Sequence, residues 1–561
     1  MSAQPTMEPA PARALNMADA LARRSRSHPD RDAILAKKGR GEWTRTSFGE
    51  LEARVAAISA GLAASGVTQG MRCAVFVRPS ADLVAVVYAL FRVGAIPIVA
   101  DPGMGRERLL QALEESEPEV FIGVPKAHAA RKFFPKAFQK VRLAITCGPR
   151  LFWGGKTLAQ IERLGRTAQH PVEPSTSEHD TAAILFTSGS TGPPKGVVYT
   201  HGMFAAQVEA LQALYHFEEG EIDLAGLPLF ALFDVAFGMT SVFPPLDPSR
   251  PGDCDPKAIF ETLRDLGVTT AFGSPAIWRR VVPWCIDQGY SLPHMRRVLC
   301  AGAPVPPDLI ADFHRVLPIH ADVFTPYGAT EALPVSSLAG RDVVPSLLPQ
   351  IQAGAGTCVG APRPGMRVAL IRIQDGPIDA WDESLCVAEG EIGEVCVQGD
   401  SVTEQYDHRP EATRLAKIPD PEGGLWHRMG DAARFDSEGR LWFQGRLAHR
   451  VQTTDGTRFP VPVENIFNTH ERVRRTALVG VGPPGAERPV VVVEPLKGEM
   501  PGGKVMRAGF IMQLKTIGAR CPLTADLEEF LFYESFPVDV RHNAKIHREE
   551  LKVWAESQLP T

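Results

Sequence analysis

Thr187-Ser188-Gly189-Ser190-Thr191-Gly192-Pro193-Pro194-Lys195-Gly196 follows directly on the apolar run Ala182 to Phe186. An apolar strand that runs into three glycines, four hydroxyls and a lysine predicts a phosphate-holding loop. Glycine permits positive φ and lets backbone N–H groups approach an anion closely. The hydroxyls add donors and Lys195 adds a point charge. The run differs from a Walker A loop, in which Gly-Lys is followed by Ser or Thr. Here Lys195 precedes a glycine and Val197 follows. A plain Gly/Ser/Pro loop is the bland alternative, and the segments downstream decide against it.

Outward from the loop, the chain alternates. Cys73 to Val77, Ala95 to Ala100 and Glu119 to Gly123 read as strands, with helices over Ala81 to Arg92 and Arg106 to Glu115 between them. The pattern resumes at Val268 to Phe272, Val298 to Ala301 and Ala321 to Thr325. Such alternation predicts parallel sheets covered by helices, with ligands at the C-terminal ends of strands. From Gly360 to Gly445 short β-rich runs, such as Met366 to Ile371 and Gly393 to Val397, predict a small barrel or sheet. A separate unit is expected after Arg446, with strands Thr476 to Val481 and Pro489 to Glu494 and a helix over Ala508 to Ile517. The fold expected is therefore α/β: a large N-terminal domain over 1–447, made of parallel-rich α/β subdomains and a β-barrel-like one, then a small α+β domain over 448–561.

Bulk properties narrow the class. At 561 residues the chain exceeds one ordinary core. A hydrophobic content of 44% with 22% charged residues reads as soluble and globular. A net charge of −5 gives nucleic acid no electrostatic purchase. Nine scattered cysteines, without a C-x-x-C pair, fit a reduced cytoplasmic protein and argue against zinc. The Pro/Ala-rich start, Met1 to Arg13, reads as a disordered tail rather than a secretory signal. The most apolar stretch, Leu83 to Ala100, is broken by Arg92, Gly94 and Pro97 and reads as a buried helix and strand, not a membrane span.

Six further segments join the loop in order: Leu227-Pro228-Leu229-Phe230, Ala301-Gly302-Ala303-Pro304, Tyr327-Gly328-Ala329-Thr330-Glu331, Trp426-His427-Arg428-Met429-Gly430-Asp431, Gly445-Arg446 and Arg541-His542-Asn543-Ala544-Lys545-Ile546. Together they resemble the adenylate-forming superfamily of acyl-CoA synthetases, peptide-synthetase adenylation domains and luciferases, over nearly the whole chain. That resemblance implies ATP and Mg²⁺. Lys195, Thr187, Ser188, Ser190 and Thr191, with the backbone at Gly189 and Gly192, would hold the leaving pyrophosphate. Glu331 would hold Mg²⁺, and Thr330 would donate to the α-phosphate. Tyr327 and the Gly302, Ala303 and Pro304 backbone would form the adenine pocket. Asp431 would accept the ribose hydroxyls, Arg446 would sit near ribose and phosphate, and Lys545 would be the catalytic lysine, brought in on a mobile C-terminal domain. His201, beside the loop, reads as structural.

Four places depart from the superfamily's common pattern: Ala231 after the Pro-Leu-Phe run, Ala448 at the hinge, Asp455 to Pro460, and Arg541 to Ala544 ahead of the lysine. The run Phe536 to Ile546 and the Ala448-His449-Arg450 hinge resemble the β-lactone synthetases of bacterial long-chain olefin biosynthesis. By that resemblance the substrate is a 2-alkyl-3-hydroxy fatty acid, and neighbouring olefin-pathway enzymes are the partners. An acyl-CoA or acyl-carrier ligase with an atypical hinge is the alternative, and a non-catalytic nucleotide binder is a third reading. His449 and His542 are candidate general bases by location alone. Phe230, Phe233, Phe237, Phe243 and Met239 read as core before they read as acyl-pocket lining.

Overall fold

The computed structural model describes residues 15–37, 41–100, 102–168, 172–186, 193–539 and 546–559. The expected N-terminal tail, Thr187 to Gly192, and Arg541 to Lys545 lie outside the described residues. The chain packs into two compact units. One is Met1–Gly220 with Ala231–Phe243 and Gln405–Pro410; the other is Glu221–Phe230 with Pro244–Glu404 and Glu411–Thr561.

The first unit contains a seven-stranded sheet ordered Lys156–Thr157, Leu143–Thr146, Val120–Gly123, Arg72–Phe76, Ile96–Ala100, Thr181–Phe186, Gly196–Thr200. Every pair is parallel except the last. The strands inside the sheet are largely buried apolar runs, as parallel sheets covered on both faces require. The helix Ala81–Arg92 is buried from Leu83 to Arg92. The stretch expected to be core rather than membrane is therefore core, and no described helix is long and apolar enough to cross a membrane. Arg92 is tolerated inside because one of its guanidinium nitrogens donates to both Glu52 carboxylate oxygens at 2.8 Å. Helices Phe48–Ala64 and Leu158–Arg166 cross at glycine. A Cβ on Gly165 would lie 1.7 Å from the Ala57 carbonyl, and one on Gly61 would lie 2.0 Å from that of Ile161. Only hydrogen fits there.

The second unit carries strands ordered Ala332–Ala339, Asp322–Ala329, Arg297–Cys300, Thr270–Gly273, Ile222–Ala225. They are parallel except for the hairpin formed by the first two. The β-rich region forms a six-stranded antiparallel sheet: Thr357–Gly360, Leu441–Arg446, Leu425–Phe435, Gly393–Gln398 and Arg367–Ile371 in order, with Lys417–Pro419 on Leu425–Phe435. After Arg446 come the strands Val473–Val481, Arg488–Pro495 and Glu529–Phe532, with helices Pro460–Phe467, Gly503–Gly518 and Arg548–Gln558. Val490 to Val493 are fully buried, the signature of a central strand.

The Pro-Leu-Phe segment is split between elements. Phe230 is buried and stacks on Phe272, with ring centroids 4.5 Å apart. Ala231 opens the helix Ala231–Phe237 and is fully buried. Phe237, Met239 and Phe243 are buried as well, and Phe233 meets the Phe204 ring at 6.2 Å. Phe230, Phe237, Met239 and Phe243 are core, as their spacing suggested, and Phe233 is half-buried.

Candidate active site

In the second unit, three of the residues singled out from sequence meet. Tyr327 lies in the strand Asp322–Ala329, whereas Asp431 and Arg446 are direct partners across the strands Leu425–Phe435 and Leu441–Arg446. The Tyr327 hydroxyl donates to Asp431 Oδ2 at 2.7 Å, and Arg446 Nε lies 3.1 Å from Asp431 Oδ1. Arg446 also donates from Nη1 to the Met429 carbonyl at 3.0 Å. Asp431 is buried, and a buried charge needs donors of this kind to offset its lost hydration. Burial, then the Asp431 charge, pushes the Tyr327 phenol well above its ordinary value. It therefore remains a donor at neutral pH. The ring of Tyr327 faces Phe443 at 6.1 Å.

Thr330 and Glu331 are the two turn residues of the hairpin between Asp322–Ala329 and Ala332–Ala339, with Ala329 opposite Ala332. A two-residue turn projects both side chains beyond the strand ends, close in sequence to Tyr327. The neighbouring strand Arg297–Cys300 pairs with Asp322–Ala329 and delivers Gly302, Ala303 and Pro304 at the same C-terminal edge. Gly302 has φ +89°, a left-handed conformation that suits glycine.

Behind Glu331 stand two residues that no motif marked. Thr403 donates its N–H and its hydroxyl to the Glu331 carbonyl, at 2.8 and 3.2 Å. Lys417, buried in the short strand Lys417–Pro419, donates its ammonium to the Thr403 carbonyl and reaches the Thr403 hydroxyl at 3.4 Å. Burial pushes this amine down to about 7, against the pull of the Glu331 and Glu404 carboxylates. The signal available beforehand was a lone lysine between Ala416 and Ile418 in a β-patterned run.

Among the described residues no group of three or more His, Cys, Asp or Glu converges on a metal position. A single carboxylate at Glu331 fits Mg²⁺ all the same, because that ion keeps several waters and takes one or two carboxylates plus substrate phosphates.

In the first unit, Lys195 is exposed at the head of the strand Gly196–Thr200, its ammonium 4.9 Å above the Tyr406 ring. Thr187, Ser188, Gly189, Ser190, Thr191 and Gly192 lie outside the described residues, as do His542 and Lys545. His201 is buried and its Nδ1 accepts from the Met17 N–H at 3.3 Å. Burial pushes it down to about 4 although Asp180 opposes the shift, so it is a neutral structural histidine. His449, in the turn Leu447–His449, has Nε2 3.4 Å from Glu549 Oε1. Burial first, then the Arg548 charge, pushes it down to about 4.

Comparison with known proteins identifies the family. A family model described as AMP-binding enzyme matches residues 21–407. Olefin beta-lactone synthetase of Xanthomonas campestris pv. campestris is 45% identical over 556 residues, which cover 97% of this chain and 98% of that protein. The protein of the same name from Stenotrophomonas maltophilia is 44% identical over 98% of this chain and 99% of its own. Among solved structures, an amide bond synthetase from Marinactinospora thermotolerans superposes with a TM-score of 0.77 at 21% identity, covering 96% of this chain and 99% of that one. At that identity the likeness is one of fold.

Proposed function

This chain belongs to the AMP-binding enzyme family, and we propose that it uses ATP to close a 2-alkyl-3-hydroxy long-chain fatty acid into a β-lactone. The observation that carries the reading is near-full-length identity of 44–45% to proteins named olefin beta-lactone synthetase. The Tyr327–Asp431–Arg446 contact supports it, because a buried carboxylate held by a phenol hydrogen bond and a guanidinium ion pair suits a nucleotide sugar.

The acid's carboxylate oxygen attacks the α-phosphorus of ATP, and pyrophosphate leaves. The β-hydroxyl oxygen then attacks the acyl carbonyl carbon, its proton passes to solvent or a base, and the bond to AMP breaks. The second nucleophile is tethered, so most of the entropic cost of bringing it to the carbonyl is avoided. Lys195 and the hydroxyls of Thr187 to Thr191 hold the phosphates, Thr330 donates to the α-phosphate, and Gly302 to Pro304 with Tyr327 line the base. Lys545, on a C-terminal domain beginning at Ala448, stabilises charge during adenylation. Mg²⁺ held at Glu331 would neutralise phosphate charge. The enzyme works in the cytoplasm, alongside enzymes that make and consume its acid and lactone.

One assay tests this. The protein is incubated with ATP and Mg²⁺ and a long-chain acid with or without a 3-hydroxyl, with or without CoA, and the products are weighed. Loss of water from the hydroxy acid, with AMP formed and no CoA needed, is expected. A CoA thioester as the product would replace the lactone reading with a ligase. Lys545→Ala is expected to abolish acyl-adenylate formation while ATP still binds.

A further inference from the structure

The helix Gly503–Gly518 is apolar on two opposite sides. Phe510 and Leu514 face inward onto a core with Phe467, Val491 and Phe532. Val505 and Met512, seven residues apart, point the other way at 100° per residue and are 87% and 66% exposed. Ala508 and Gly509 lie between them on the same outward stripe. Of the fourteen exposed large hydrophobic residues among those described, six fall within 496–523: Leu496, Met500, Val505, Met506, Met512 and Leu523. The face of a surface helix opposite its packed side is normally polar.

Charge indicates what covers it. Residues 500–525 contain four Lys or Arg and no Asp or Glu, in a chain of net charge −5. Lys515 pairs with Glu528, whereas Lys504, Arg507 and Arg520 meet no acidic partner among the described residues. A second copy fits poorly. A two-fold pairing would set basic face against basic face. One face of a helix about 24 Å long and about 10 Å wide also falls well short of the roughly 800 Å² per partner of a stable interface. A bilayer needs far less apolar area when basic side chains flank it, because insertion and attraction to anionic headgroups add.

We propose that the outward face of Gly503–Gly518 docks this enzyme on an anionic phospholipid surface, with Val505 and Met512 entering the headgroup boundary and Lys504, at the edge of that face, and Arg520, just past the helix end, on the phosphates. The helix lies on the membrane and does not span it. The proposal is independent of which acid the enzyme activates.

Sedimentation of the full-length protein with vesicles tests it. Binding is expected to vesicles in which about a third of the lipid is phosphatidylglycerol, to fall with added salt, and to be weak on phosphatidylcholine alone. Val505→Gln with Met512→Gln, and separately Lys504→Glu with Arg520→Glu, are each expected to weaken that binding by about tenfold or more. Circular dichroism and ATP–pyrophosphate exchange should remain at wild-type levels. Failure to bind anionic vesicles, or variants that bind as well as wild type, would overturn the proposal. So would a wild-type oligomer, or a complex with an acidic protein, that either pair of substitutions dissolves while vesicle binding persists.

Discussion

Asp431 is met from two sides, by a phenol that donates a hydrogen bond and a guanidinium that pairs its charge, and both groups arrive from other strands. A buried carboxylate with one partner removed reorients or binds a proton, and either change would spoil the proposed acceptor for sugar hydroxyls. Tyr327→Phe takes away one donor and leaves the ring. A hydrogen bond to a charged group contributes about 1.5–3 kcal/mol. Tyr327→Phe is therefore expected to raise the KM for ATP by about tenfold or more, with little change in the KM for the acid. ATP–pyrophosphate exchange at varied ATP measures this; an unchanged KM for ATP would show that Asp431 needs no help from the phenol. Asp431 itself could be singled out from the Gly430-Asp431 motif. Its donors could not be inferred from local pattern, since Tyr327 is 104 residues away in the chain.

At the scale of elements, the strand Gly196–Thr200 shows how the chain is held just after Lys195. Val198 donates to the Gln405 carbonyl at 3.3 Å, and the Asp407 N–H donates to the Gly196 carbonyl at 2.7 Å. Asp407 is in turn gripped by both terminal nitrogens of Arg72, at 2.7 and 2.8 Å. A bidentate pair of this kind fixes direction as well as distance. The segment places the Tyr406 ring beneath the Lys195 ammonium. An exposed cation–π contact contributes about 0.5–1 kcal/mol. Tyr406→Leu is expected to raise the KM for ATP by about two- to fivefold, and Tyr406→Phe, which keeps the ring, should not. Equal behaviour of the two variants would remove the ring from the account. The strand itself was readable from its apolar run. Its brace was not, because Arg72, Lys195 and Tyr406 share no local pattern.

Over the whole molecule, buried histidines link stability to pH. His201 and His449 each have a folded value of about 4 against an ordinary 6.5. Between these values the unfolded chain binds protons that the native protein does not, so stability falls as the pH drops from 6.5 to 4 and levels off below. At about 1.4 kcal/mol per unit, each contributes on the order of 3 kcal/mol across the window. Lys417 acts with the same sign at higher pH: its folded value of about 7 lies below the ordinary 10.5, so stability rises as pH increases between them. Urea midpoints at pH 7 and pH 5 test the acid limb. His201→Gln is expected to reduce the difference between them; an undiminished slope would mean that other groups carry it.

The sequence alone determined the alternation of strands and helices, the buried helix Ala81–Arg92, the ordered motifs and, through them, the family. These are carried by runs of neighbouring residues, where spacing and burial preference act locally. Only the tertiary structure decided that Tyr327, Asp431 and Arg446 form one contact, that Thr403 and Lys417 stand behind Glu331, and that Val505 and Met512 face outward with nothing among the described residues to cover them. The physical reason is that a buried charge must find its partner wherever the chain returns to it, and an apolar helix face shows itself as uncovered only once the opposite face has been packed.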